Sequence, residues 1–179
     1  MSMKREGKDK VELKDSHFNG YEYKGYGVKT KLVIDGQNEY RPLRLSCSAD
    51  VYKAFKNLHK SDKERFYAIH LDSKNKVLGV DMVSQGTIES SQIHPREVYK
   101  PAILNSAVSV IFAHSHPSGD PEPSVSDKEI TKELELAGEI MEIEVLDHVI
   151  IGRDEYYSFD DKGELWVKNQ KILMKLGSK

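Results

Sequence analysis

Hydrophobic positions along this chain recur in short blocks whose spacing alternates between two residues and three to four, as strands interleaved with helices require. Residues 28–34 read as a strand, Asp35-Gly36 as a hairpin turn, and residues 40–45 as a return strand that Pro42 marks as an edge or a bulge. Ser48 is the expected N-cap of a helix with Val51, Phe55 and Leu58 on one face. Glu64 opens a strand over 66–72, and Ser73-Lys74-Asn75 turns the chain into another over 77–83. A helix is predicted over 95–107, with Pro95 in its first turn and Pro101 kinking or splitting it. Residues 108–113 form a continuous apolar run, the pattern of a strand covered on both faces. A proline- and glycine-containing loop over 117–123 leads to Ser124, which opens a helix carrying Ile130, Leu134, Ala137 and Met141 along one side. Residues 143–146, 148–151 and 156–159 read as three short closing strands. The interleaving predicts a mixed α/β domain with helices packed against one sheet.

Length and composition narrow this picture. A chain of 179 residues holds one domain. The expected organisation is a polar N-terminal extension over 1–27, a domain over 28–167 and a basic tail over 168–179. Cys47 is the only cysteine, which excludes an intrachain disulfide and a thiolate-rich zinc cage. The first residues lack the apolar stretch of a signal peptide and no apolar run is long enough to span a bilayer, so a cytoplasmic location is expected. A net charge of −2 disfavours broad binding to nucleic acid, which needs many Lys/Arg contacts to phosphate. Residues 120–147 hold ten acidic residues against Lys128 and Lys132, which reads first as a solvated helix face. Tyr21, Tyr23 and Tyr26 read as packing over a sheet edge rather than as a stacking ladder for bases.

The chemistry is concentrated between Ala113 and Asp127. His114 and His116, two apart at a strand end, point to one face. Asp127 falls in the first turn of the next helix, three residues after its cap. Two imidazoles and one carboxylate suit Zn²⁺, and three protein ligands leave a fourth position open, as in catalytic sites. A water bound there becomes acidic and needs a base, and spacing alone leaves Glu64, Glu89 and Glu97 as candidates. His94 and Glu97 read as local helix caps. Asp147-His148 reads either as an outer carboxylate–imidazole pair or as a brace for the closing strand.

His114-x-His116-Pro117, six residues, Ser124, two residues, Asp127 is the spacing of the JAMM motif. The chain resembles the RadC-like branch of the JAB/MPN superfamily from residue 28 to 163. Glu64-Arg65-Phe66, Leu71-Asp72-Ser73-Lys74-Asn75, Gly86-Thr87, His94-Pro95-Arg96-Glu97, Pro123-Ser124, Thr131 and Asp147-His148-Val149-Ile150-Ile151-Gly152 also carry the likeness. The resemblance implies an MPN sheet flanked by helices, related in architecture to cytidine deaminases. It implies Zn²⁺ on His114, His116 and Asp127, Glu64 as general acid/base, and Ser124 as hydrogen-bond donor to a developing oxyanion. It also implies a peptide or protein substrate, with a ubiquitin-like modifier among the possibilities. Ser115 stands where RadC-like chains usually have asparagine and is expected to point away from the metal. Longer RadC relatives begin with a helix-hairpin-helix module, and none is read here.

Two other readings compete with a zinc peptidase or isopeptidase. A zinc nucleobase deaminase needs His-x-Glu and a later Pro-Cys-x-x-Cys, which one cysteine cannot supply. A non-catalytic, metal-stabilised module associated with DNA repair or nucleic acid keeps the ligands without turnover.

Overall fold

Two stretches of chain, residues 44–86 and 93–170, are described by the computed structural model. They fall within the unit running from Gly36 to Lys179. In chain order they form helix α1 (Ser48–Phe55), a 3-10 turn (Lys56–Lys60), strands β1 (Arg65–Leu71) and β2 (Val77–Gln85), and helix α2 (Pro95–Leu104). Strand β3 (Ser109–Ser115), helix α3 (Val125–Ile140) and strands β4 (Glu144–Ile151) and β5 (Tyr156–Ser158) follow. The sheet order is β2-β1-β3-β4-β5. All neighbours are antiparallel except β3 and β4, which run parallel because α3 connects them. This is the mixed α/β sheet flanked by helices that the pattern predicts. The expected strand over 28–34, the Asp35-Gly36 turn, most of the strand over 40–45, the three tyrosines, Glu89 and most of the basic tail lie outside the described residues.

All seven residues of β3 are buried, as its apolar run foretold for a strand covered twice. Phe66 and Ala68 of β1, Val110 and Phe112 of β3 and Val145 of β4 face α2 and α3, meeting Val98, Tyr99, Ala102, Ile130 and Leu134. The opposite face, with Ile69, Leu71, Ile111, Ala113, Val149 and Ile151, takes Leu45 and, from α1, Val51. Each such side chain contributes roughly 1.5–3 kcal/mol when fully buried. The two helices over the first face approach closely at Gly138 of α3. A Cβ there would lie 2.5 Å from the Ile143 carbonyl and from the Tyr99 hydroxyl, which donates to the Leu134 carbonyl at 2.7 Å.

Local expectations fail in three places. Cys47, not Ser48, is the N-cap of α1, and Ser48 is buried in the first turn, donating to Asp161 Oδ2 at 2.6 Å. Leu58 falls in the 3-10 turn rather than in the helix. Pro101 does not split α2, which runs unbroken to Leu104. Its missing N–H removes one bond, to the Glu97 carbonyl, and Ser106 at φ 53° ends the turn.

A fourth difference is larger than these three. The two strands expected over 143–146 and 148–151 are one strand, β4, with an irregularity inside it. Val110 pairs with Val145 but Ile111 pairs with Asp147, so Leu146 is an extra residue. The bulge reverses the alternation of side chains, which is why the sequence pattern breaks there. Val145 lies in the α3-side cluster, whereas Val149 and Ile151 lie in the other. Asp147 is buried, and its carboxylate accepts from Ser158 Oγ (2.7 Å), His148 N (2.7 Å) and Asp160 N (3.0 Å). The acidic block is likewise only partly a solvated face: buried Glu135 accepts from the backbone N–H of Trp166 and Val167, holding the start of the 166–170 helix.

Two measurements follow. Gly138→Ala, which in an open helix would stabilise by about 1 kcal/mol, is expected to destabilise this fold by about 1–3 kcal/mol through overpacking, and a raised Tm would contradict the close approach. Burial pushes the Asp147 carboxyl from 3.8 up to about 6 against the three hydrogen bonds it accepts. Because the folded value is the higher one, Asp147 stabilises below about pH 4, and that contribution is lost as pH rises through about 6. Relative to Asp147→Asn, urea titrations should therefore show the natural chain losing about 3 kcal/mol between pH 4 and pH 7; a constant difference would refute this.

Candidate metal centre

β3 supplies the first two candidate ligands and α3 the third. His114 is a fully buried strand residue, and His116 follows the strand by one position, partly open to solvent. The chain then turns at Gly119, whose φ of 79° suits glycine and whose N–H donates to the His116 carbonyl at 3.0 Å. Ser124 caps α3 with a full capping box: its Oγ accepts from Asp127 N (3.1 Å), and Asp127 Oδ2 accepts from Ser124 N (2.7 Å). The Ser124 hydroxyl proton also goes to Asp127 Oδ2, at 2.7 Å. The cap thereby fixes one carboxylate oxygen and turns the other, Oδ1, toward His114.

The ligating atoms form a tight triangle. His114 Nε2 and His116 Nε2 are 2.9 Å apart, Asp127 Oδ1 is 3.2 Å from His114 Nε2, and Asp127 Oδ2 is 3.3 Å from His116 Nε2. Zinc ligands at about 2.0–2.1 Å in a tetrahedron stand roughly 3.3 Å from one another. Among the described residues these three form a group of side chains able to hold a metal ion.

Proton accounting supports the same fit. His116 Nδ1 lies 2.8 Å from the Asp120 carbonyl, which only accepts, so Nδ1 carries the proton and Nε2 is a bare lone pair. On the other side, Thr131 Oγ1 sits 2.5 Å from the Asp127 carbonyl and must donate to it. Its oxygen is then the acceptor for His148 Nδ1–H, 2.6 Å away. His148 Nε2 is left as an acceptor, and His114 Nδ1–H donates to it at 2.8 Å. His114 Nε2 is therefore also bare. Two lone pairs and a carboxylate facing one another require a cation among them, either a proton or a metal ion.

The electrostatics agree. Burial lowers His114 and lowers His148 further, keeping both neutral. His116 is lowered by partial burial but raised more by Asp127 and the Asp120 carbonyl, so in the absence of metal the proton settles there. Burial raises Asp127, yet the facing His114 and His116 imidazoles and the Ser124 hydroxyl outweigh it and hold the carboxyl far below its ordinary range.

The other expected residues fall out as follows. Glu64, half-buried just before β1, lines the same open groove as His116, Ser124, Asp127, Asp120 and Glu122. His94 occupies the N-cap of α2 without a side-chain cap bond, and Glu97 pairs with Arg96 at 3.3 Å. Ser115 is buried, its Oγ without a hydrogen-bond partner among the described residues. Asp147 and His148 do not form a side-chain pair: the aspartate takes the His148 backbone N–H, while the imidazole goes to His114. The link from His148 to Thr131 was not anticipated. Its available signal was a histidine at the head of the apolar run Val149-Ile150-Ile151, and a threonine one helical turn after Asp127.

The family model for the RadC-like JAB domain matches residues 45–164. The chain is 48% identical over 147 residues to a UPF0758 protein of Trichlorobacter lovleyi, an alignment covering 79% of this chain and 64% of the relative. It is 53% identical over 102 residues to one of Symbiobacterium thermophilum, covering 57% and 44%, and 44% identical over 124 residues to one of Methanosarcina acetivorans, covering 68% and 54%. The chain thus spans about half the length of the curated relatives it matches. Since the matched span holds the whole sheet and all three converging side chains, the chain belongs to the RadC-like JAB domain family.

Proposed function

We propose that this chain is a cytoplasmic zinc-dependent hydrolase that cleaves an amide bond, peptide or isopeptide, in a peptide or protein substrate. One observation carries the reading: His114 Nε2, His116 Nε2 and one ionised carboxylate converge on the wall of an open groove that Glu64 also lines. Zinc held by His114, His116 and Asp127 would supply Lewis acidity and acidify a water to a pKa of about 7.

The chain's own residues then divide the remaining work. Glu64 takes a proton from the attacking water and returns it to the leaving nitrogen. Ser124 is exposed at the groove and donates to the developing oxyanion. To do so it must turn its proton away from Asp127 Oδ2, which keeps the Ser124 N–H as its donor. Among the described residues no helix is long and apolar enough to cross a membrane.

Purified protein should carry one zinc per chain, and His116→Ala should abolish it in metal analysis. Glu64→Gln should retain the zinc and lose about 10²–10⁴ in turnover on isopeptide-linked or linear substrates. Zinc present, with no amide hydrolysed by the natural chain, would favour a non-catalytic module, and salt-sensitive duplex binding would point that module to nucleic acid. Ser124→Ala should lower turnover by about 10²–10³ if the oxyanion role holds and stability by about 1 kcal/mol through the lost cap. A stability loss with unchanged turnover would leave Ser124 only its capping role.

A further inference from the structure

Behind the candidate ligands lies a closed circuit of hydrogen bonds that begins on one ligand and ends on another. It runs from the His114 ring to His148, from His148 to Thr131, and from Thr131 to the backbone carbonyl of Asp127. Two strands and a helix meet in it. His114 comes from β3, His148 from β4, and Thr131 stands one turn after Asp127 on α3. Phe66 of β1 flanks both imidazoles, 5.9 Å from His114 and 5.3 Å from His148.

The circuit has one direction only, because its last member is a carbonyl that cannot donate. Read in reverse, His148 would carry its proton on Nε2, His114 would accept at Nδ1, and the His114 proton would move to Nε2. That nitrogen could then ligate nothing. Which of the two tautomers His114 adopts is set by the bond its other nitrogen makes. Here that bond traces back, through two side chains, to the carbonyl of Asp127.

We propose that His148 and Thr131 are positioning residues that hold His114 in the tautomer able to bind a metal, and that the Leu146 bulge exists to bring His148 onto the ligand face. The inference rests on the metal reading of the site. The bulge reverses the alternation of β4, so His148 shares a face with Val145 and meets Phe112, Thr131 and His114. The ring is fixed there by packing: it stacks on Phe159 at 5.1 Å with an interplanar angle of 7°, and meets Phe66 and Phe112 edge-on. It has no solvent exposure, and Thr131 is nearly as deep, at 2%. Water therefore has no access through which to replace either partner.

The test begins with the metal-free natural chain. Ring ¹⁵N spectra should show His114 and His148 neutral, each with its proton on Nδ1. An Nε2–H form of His114 would overturn the inference. Two variants then separate proton direction from packing. Thr131→Val keeps the volume and the methyl group but removes the acceptor for His148, and zinc affinity, read by competition with a chromophoric chelator, should fall about 10–100-fold. Thr131→Ser keeps the hydroxyl and loses a methyl, and should bind zinc like the natural chain. A merely structural threonine predicts the opposite order. Full-strength binding by Thr131→Val, or equal weakening by both variants, would overturn the inference while leaving the metal reading intact. A natural chain that binds no zinc at all would overturn both.

Discussion

Burying two imidazoles and an aspartate against one another, with a third imidazole beside them, is stable only when every proton has a single place to be. A buried polar group without a partner costs about 1–3 kcal/mol, and His114, His148, Asp127 and Thr131 are each 2% exposed or less. The structure meets this constraint by ending each line of hydrogen bonds on a backbone carbonyl. His116 ends on Asp120, and His114 ends on Asp127 through two intermediates. What remains at the centre are atoms that only accept. The capacity of the site to take a cation is the consequence of satisfying everything around it.

The fold is arranged to supply that geometry. The parallel pair β3–β4 places His114 and His148 on adjoining strands, and α3, the crossover between those strands, starts at the capping box that aims Asp127. The same helix brings Thr131 round one turn later. The acidic block that surrounds these residues has no single purpose. Asp127 faces the candidate metal position, Glu135 holds the start of the 166–170 helix, and Asp147 braces β4 against β5, while the rest of the acids on α3 face solvent.

Where the chain's reading and its structure part, the cause is a contact between residues distant in sequence. Ser48 has the chemistry of an N-cap, but Asp161, 113 positions away, takes its hydroxyl. Asp147 has the look of a strand break, but Ser158 and Asp160 make burial tolerable. His148 next to Asp147 left a neighbouring pair and a brace for the closing strand both open; Asp147 took the brace, and the bulge at Leu146 sent the imidazole to His114.

The sequence by itself determined the alternation of strands and helices, the fully buried β3, and the three converging side chains His114, His116 and Asp127. All of these are local: the period of two in a strand, the cap three residues before Asp127, and the turn at Gly119 act within a few residues of chain. Only the tertiary structure decided which nitrogen of His114 carries its proton. That choice belongs to His148 and Thr131, which reach His114 through a bulge and a helix crossing, and no spacing along the chain encodes the direction in which a hydrogen bond points.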